Sequence, residues 1–416
     1  MNRQPKRSTR RALKWAFVFV FVLLLLLQIP FAYRRWQLSA AAEKIAAQNA
    51  AAVMPPADNL KEYKGIIHAH TSLGGHSTGH FDELISAAGT NALDFVVMTE
   101  HYSDRFDTAA LTLNGVYENT LFIGGNEIDT ADGDRFLMIP GGAQAAGFRK
   151  NSTQYFLETV HSQNGLAMVT YPEKFKSWDA DLDGIEVFSI HTAAKKANPF
   201  TAFFDLFWSY GSYPGLTLMR HFSRPAAELQ RYDETAQRRP NTLFAGTDAH
   251  SNIGFHIFGD DAGNKPLGVK IDDYASIFQV VRVHVLQETD TPLTRETLIE
   301  TLRRGRAFVG FDAMGDTTGF RFFGRSGNGL FQMGDRVSLS SGPVSLTASA
   351  SRSARFVVYR NGVVVSVSSE SGELSASHTM QAAEPGVYRV EVYLESLGSP
   401  FNEMPWILSN PIYVTP

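Results

Sequence analysis

The sequence predicts an α/β protein: a distorted (β/α)7 barrel over residues 61–318, then a small antiparallel β-sandwich over 319–416, with one transmembrane helix before both. Three observations carry this. Short apolar runs alternate with helical stretches up to about residue 312, the texture then changes to strands separated by turns, and an uncharged run lies near the N-terminus. The strand candidates of the first part are KGIIHAH (64–70), LDFVVMT (93–99), LFIGGNEI (121–128), GLAMVTY (165–171), GIEVFSI (184–190), NTLFAGT (241–247) and VVRVHVL (280–286). Helices are expected over 80–90, 151–164, 199–212, 225–238 and 294–305. Seven strands with intervening helices over about 250 residues suit a closed barrel better than an open sheet. Later, VSLTASAS, RFVVYRNGVVVSV and GVYRVEVYLE alternate with period two around turns, and Asn361-Gly362 is the clearest hairpin signal.

The N-terminal run, WAFVFVFVLLLLLQIPFAY (15–33), is 19 residues without a charge, enough to cross a bilayer. Residues 1–14 hold six basic residues and no acid, whereas Arg34 and Arg35 alone follow closely, so the N-terminus is expected in the cytoplasm and the remainder outside it. Small residues come only after Arg34, Arg35 and Trp36, which favours an uncleaved anchor over a removed signal peptide. Residues 34–60, Ala-rich and ending in MPPADN, read as a stalk and linker.

The chain's net charge is 38 − 42 = −4, and subtracting the six basic residues of the tail leaves −10 on residues 15–416. Such an acidic body lacks the Lys/Arg footprint for holding bare nucleic acid, so that partner is disfavoured. Cysteine is absent, which excludes disulfides, thiolate metal sites and a thiol nucleophile.

Residues able to bind metal recur where strands are expected to end: His68 and His70, Glu100-His101, Glu127, His191, and Asp248 with His250. In a barrel those ends meet at one mouth, and His-x-His or Asp-x-His on a strand sends two ligands to the same side. Neutral imidazoles and carboxylates are the donors that divalent ions need. His161, His284 and His378 lie away from such ends and are read as structural.

GIIHAHTSLGGHS, VVMTEH, GGNEID and FAGTDAHS, in this order over roughly residues 61–312, resemble the motifs of the polymerase-and-histidinol-phosphatase (PHP) superfamily, and LTRETLIETLRRGRAFVGFD is similar to the way many such domains finish. The resemblance implies a PHP-type barrel holding two or three divalent ions, manganese, zinc or iron, and hydrolysis of a phosphate mono- or diester through a metal-bound water. By position it implies His68, His70, His76, His101, Glu127, His191, Asp248 and His250 as ligands, with Asp248, His250 and His101 closest to catalysis; His221 competes with His191. Tyr171-Pro172 stands where the family commonly has His-Pro, and Ser77-Thr78-Gly79 where many members have Ser-Asp-Gly; His76 or His80 could replace the missing aspartate. Arg220, Arg224, Lys174 and Tyr171 are the candidates for holding phosphate.

The expected protein is therefore a single-pass, cell-membrane phosphoesterase facing the periplasm or cell surface, acting on a phosphorylated small molecule or polymer. Two other readings stand beside it. One is a degenerate barrel that binds a phosphorylated ligand without turnover; the other is an amidohydrolase, for which VTYPEKF lacks the expected lysine or histidine at the strand end. Sequence leaves the substrate, the metal and the oligomeric state open.

Overall fold

The computed structural model describes residues 6–54, 58–252, 254–258, 267–327, 329–369 and 376–416; Arg3 of the basic tail and Pro55–Ala57 of the expected linker lie outside them. The protein is mixed α/β, with a large sheet rich in parallel strands and a separate four-stranded antiparallel sheet. All seven expected strands form: β1 (Leu60–Ala69), β2 (Phe95–His101), β3 (Thr120–Asp129), β5 (Leu166–Val169), β6 (Gly184–Ser189), β7 (Thr242–Gly246) and β8 (Arg282–Glu288). An eighth, β4 (Arg135–Ile139), is inserted antiparallel between β3 and β5, and β9 (Ala307–Gly310) follows β8. The order is β9-β8-β1-β2-β3-β4-β5-β6-β7.

Strands β1, β2 and β3 are parallel, β5, β6 and β7 are parallel, and β4 runs against both of its neighbours, so six strands point the same way. The end of β7 returns to β1. Thr247 N–H donates to the Ile67 carbonyl at 3.1 Å and His70 N–H to that of Ala249 at 3.0 Å. Asn410 joins the other ends: its Oδ1 accepts from Leu243 N–H at 2.7 Å, and its Nδ2 donates to the Leu243 and Ala307 carbonyls, each at 2.9 Å.

Period-two alternation sends neighbouring strand residues into two apolar cores. Ile66, Val96, Phe122, Met138 and Ala245 pack with the helices on one face, whereas Ile67, Val97, Ile123, Leu137 and Phe244 pack on the other, with Leu298 and Leu302 of the helix at 295–303. Caps fix several helices. Ser152 accepts from Tyr155 N–H at 3.3 Å before Thr153–Ser162, and Thr294 from Thr297 N–H at 3.2 Å before Arg295–Arg303.

After residue 319 the expected antiparallel texture is present in two sheets. Arg321–Ser326, Gly329–Gln332, Val344–Ala350 and Ala376–Ala382 form the separate sheet. The others continue the large one, because Phe308 of β9 pairs with Ser409, and Ile407–Ser409 pairs in turn with Gly386–Tyr393. Asn361 and Gly362 take φ of 52° and 80° between Arg360 and Val363, the left-handed pair a tight hairpin needs.

At the N-terminus, α1 (Lys6–Leu26) and α2 (Ile29–Ala50) nearly join, and the 40 residues Arg11–Ala50 include a stretch apolar enough to cross a membrane. The helix expected as a stalk lies against the body. Leu38, Ala41 and Ile45 enter the larger core, Phe31 stacks on Phe204 at 4.6 Å, and Arg34 pairs with buried Asp205 (Nε–Oδ1 2.8 Å). Amphipathic spacing of Leu38, Ala41 and Ile45 makes this docking possible.

His284 of β8 shows how the sheet is tied to the turn after β9. Fully buried, it contacts Glu62 Oε1 at 2.8 Å, Thr317 Oγ1 at 2.9 Å and Asp312 Oδ1 at 3.6 Å. Burial disfavours its charged form, but Asp312 and Glu62 outweigh burial and raise its pKa to about 9. A raised histidine contributes stability below its unfolded pKa of about 6.5 and loses it as pH climbs through about 9, on the order of 3 kcal/mol in all. Urea unfolding of wild type should show this decline, and His284→Gln should remove it; an unchanged slope in the variant would contradict the assignment.

Candidate metal centre

The C-terminal ends of the parallel strands bring four buried groups together: His68 from β1 and His70 just after it, Glu127 from β3 and Asp248 just after β7. His68 Nε2 and His70 Nε2 are each 3.3 Å from Asp248 Oδ1, and 3.7 and 3.5 Å from Glu127 Oε2. Yet His68 Nε2, both ring nitrogens of His70 and Asp248 Oδ1 are buried without an aligned hydrogen bond among the described residues. Buried polar atoms are ordinarily satisfied. Four donors around one ion at about 2.1 Å stand about 3.4 Å apart in a tetrahedron, so these atoms have the spacing and unused lone pairs that a divalent cation fits. His70 also belongs to a second group with His101 and His250, and Glu127 Oε2 lies 3.5 Å from His101 Nδ1. Glu127 thus faces both groups.

The positions are held under backbone strain. His68 (φ 73°), Tyr171 (52°) and Asp248 (50°) adopt left-handed conformations, each costing about 1–3 kcal/mol for residues with a side chain. At His68 the register between β1 and β2 shifts. The two histidines therefore reach one site through a bulge and not through plain strand alternation.

Neighbouring groups aim the ligands. Glu186 Oε1 is 2.8 Å from His68 Nδ1, which assigns the proton to Nδ1 and leaves Nε2 free to ligate. Thr170 Oγ1 donates to the other Glu186 oxygen. His250 Nδ1 is 2.8 Å from the Asp248 carbonyl, so its Nε2 is the available donor. At Gly246 a Cβ would stand 1.7 Å from Glu186 Oε1 and 3.0 Å from the His68 Cβ; only glycine leaves that pair its room.

Electrostatics supply the ligand-competent state of His70, His101, Glu127 and Asp248, whereas at His68 an arriving ion must displace a proton. Burial lowers the pKa of His70 and brings that of His101, next to His70, down to about 3. Burial alone would raise Glu127 and Asp248, but the adjacent His68 and His70 overcome it, taking Glu127 down to about 2 and Asp248 well below the usual carboxylate range. For His68 burial is again opposed, by Asp248 and Glu186, and the pKa rises. Two ionised carboxylates and mostly neutral imidazoles are what a divalent ion requires.

Other expected residues fall into place unevenly. His76 and His191 line the cavity of about 610 Å³ over the cluster, their rings 4.8 Å from His101 and 5.9 Å from His250. His221 turns away to Asp205, 3.0 Å from its Nε2. Tyr171 Oη donates to Asp248 Oδ2 at 2.7 Å, so the phenol orients a candidate ligand. Its pKa is raised, by burial first and then by Asp248, which keeps the proton in place. Thr78 Oγ1 donates to the Ser251 carbonyl at 2.6 Å and so braces the loop that carries His250. Glu100 accepts from Thr71 N–H at 3.0 Å and from the Thr71 and Thr112 hydroxyls at 2.6 and 2.9 Å, and thereby supports the first loop.

The expected phosphate clamps need correction. Arg220 donates to the Arg34 carbonyl at 2.6 Å and to Gln37, and Arg224 makes a two-pronged pair with Glu391. Lys174 lies over the Tyr171 ring, 5.3 Å from its centroid, and is exposed. The guanidinium groups that do line the cavity are Arg135 and Arg149. Arg135 pairs with Asp129 at 2.7 Å and is 3.5 Å from Glu127 Oε1. It opens β4, and that unrecognised strand hid it. Glu186 could have been noticed as the lone charge within GIEVFSI.

No protein-family model and no curated protein matches this chain. Among solved structures, PsfC from Pseudomonas syringae superposes with a TM-score of 0.37 at 12% identity, covering 61% of this chain and 94% of the other. A two-domain protein from Bacteroides vulgatus, described as containing a predicted PHP-like metal-dependent phosphoesterase, gives 0.36 at 12% identity over 86% of this chain and 98% of its own. At such scores the functional reading stands on the side chains.

Removing the partner of a metal-ligating histidine typically costs ten- to a hundredfold in affinity. Glu186→Gln should weaken manganese or zinc binding by about that factor in a calorimetric titration while the circular dichroism spectrum is retained; wild-type affinity would show that the Glu186–His68 pair is only structural.

Proposed function

We propose that the chain is a divalent-metal-dependent phosphoesterase built on a PHP-type barrel. The observation that carries this is the buried cluster of His68, His70, Glu127 and Asp248, whose donor atoms are mutually spaced for an ion and otherwise unsatisfied. His68, His70, Glu127 and Asp248 would hold one divalent ion, and His70, His101 and His250 offer donors for another; such ions would supply Lewis acidity and make water a better nucleophile.

The protein's own groups set up the rest. Tyr171 Oη holds Asp248 Oδ2, so that Oδ1 is presented to the cluster. Glu186 fixes the His68 tautomer. Arg135 brings positive charge to the cavity wall beside Glu127, where it can pair with phosphoryl oxygens. A cavity of about 610 Å³ above the cluster accommodates a small phosphorylated group.

Asp248→Asn should abolish metal-dependent phosphate release from aryl phosphate mono- and diesters and leave the folded state intact by circular dichroism. Full activity in that variant would sink the reading. Retained binding of a phosphate ester by wild type, with no turnover at any metal loading, would instead favour a binding barrel.

The apolar helix and the charge imbalance around it support a membrane anchor with the barrel outside the cytoplasm. Protease added to spheroplasts should then degrade the region after residue 60; protection until the spheroplasts are lysed would reverse the topology.

A further inference from the structure

A second cavity, of about 190 Å³, opens beside the metal cluster and is of a different character. Ile190, Ala197, Ala202, Leu206, Leu218 and Ile277 line it, and it shares His191, Asp248, His250 and Asn252 with the polar cavity above the cluster. A space near 150 Å³ with aliphatic walls is enough to take up benzene. No step of the reaction as described uses such a pocket.

Its walls come from helical segments that also contact α2. The segment Pro199–Asp205 begins at Asn198, whose Oδ1 accepts from Phe200 and Thr201 N–H at 3.0 and 3.1 Å, and continues through a π-helical turn, Leu206–Tyr210. One side of this segment, Ala202 and Leu206, lines the pocket. Phe204 stacks on Phe31, five residues past the end of α1. Phe200, Phe203 and Phe207 are 61%, 52% and 76% exposed, and Tyr33 and Trp36 of α2 are 56% and 62% exposed. Large aromatics collected where an apolar helix ends are the composition of a membrane–water boundary. The apolar pocket is therefore built on the segment that carries the aromatic surface next to α1.

We infer that the substrate is a phosphoester bearing an apolar chain, of the kind found in membrane lipids, with the chain lodged among Ala202, Leu206 and Leu218 and the phosphate held over Asp248 and His250. This rests on the phosphoesterase reading and narrows its substrate. Hydrolysis needs no further reactant: water forms a new P–O bond, the ester P–O bond breaks, and the leaving alcohol takes a proton from the water.

The test separates the pocket from the chemistry. Alkylphosphonates from methyl to hexyl are titrated calorimetrically into the manganese-loaded full chain in lipid nanodiscs, with empty discs subtracting partition into the bilayer. Kd should fall about fourfold per added methylene until the pocket is full, and Ala202→Phe, at a partly buried helix position, should flatten the series. A Kd independent of chain length, or an equal slope in Ala202→Phe, would overturn the inference. Failure of the phosphoesterase reading is distinguishable, because it shows as absent metal-dependent hydrolysis of aryl and hexyl phosphate esters whatever the slope.

Discussion

Two carboxylates, Glu127 and Asp248, are buried within 3.7 Å of His68 and His70. Carboxylates withdrawn from water must be matched by positive charge or lose their ionisation. Much of the surrounding architecture follows from that constraint. The chain accepts left-handed backbone at His68, Tyr171 and Asp248, spends a glycine at 246, and buries a third carboxylate, Glu186, behind the first histidine. Such strain survives only where the surroundings over-determine it, and here parallel strands on both sides and the return of β7 to β1 supply the rigidity.

The candidate ligands were legible in the sequence for a simple reason: polar residues at the ends of otherwise apolar strands have no other evident use. His68, His70, His101, Glu127, Asp248 and His250 all reach the two candidate metal groups. Residues whose roles depend on distant partners were not legible. Arg220 and Arg224 resemble free cations in sequence, yet one is occupied by α2 and the other by Glu391, 167 positions away. Strand β4 escaped because five residues after a Gly-containing turn, RFLMI, carry little alternation, and with it went Arg135. Tyr171 illustrates a subtler limit. In the sequence this tyrosine reads as a lost ligand, whereas its hydroxyl holds the candidate ligand Asp248.

The later strands do more than trail the first region. Besides the β9 pairing, Arg389 is fully buried and makes a two-pronged pair with Asp233 of the helix at 226–236, at 2.6 and 2.7 Å, and it reaches Glu391 at 2.7 Å. Arg224 completes this network from the other side. Breaking one member of a buried ion network leaves the rest unpaired at a cost of several kcal/mol, about 3–5 for a single pair, so the two regions are coupled in folding.

The docking of α2 has a kinetic meaning. A flexible tether lets a catalytic head sample a hemisphere and meet solutes at any angle, with an effective concentration set by tether length. A helix clamped through Arg34, Arg220 and Phe31 removes that freedom. Were α1 to lie in a bilayer, as proposed, the mouth of the site would keep one height and one tilt above the lipid surface, and encounters would become a search in two dimensions. Molecules diffusing in bulk gain nothing from such a mount, whereas those confined to the same sheet of lipid are delivered to it by lateral motion alone.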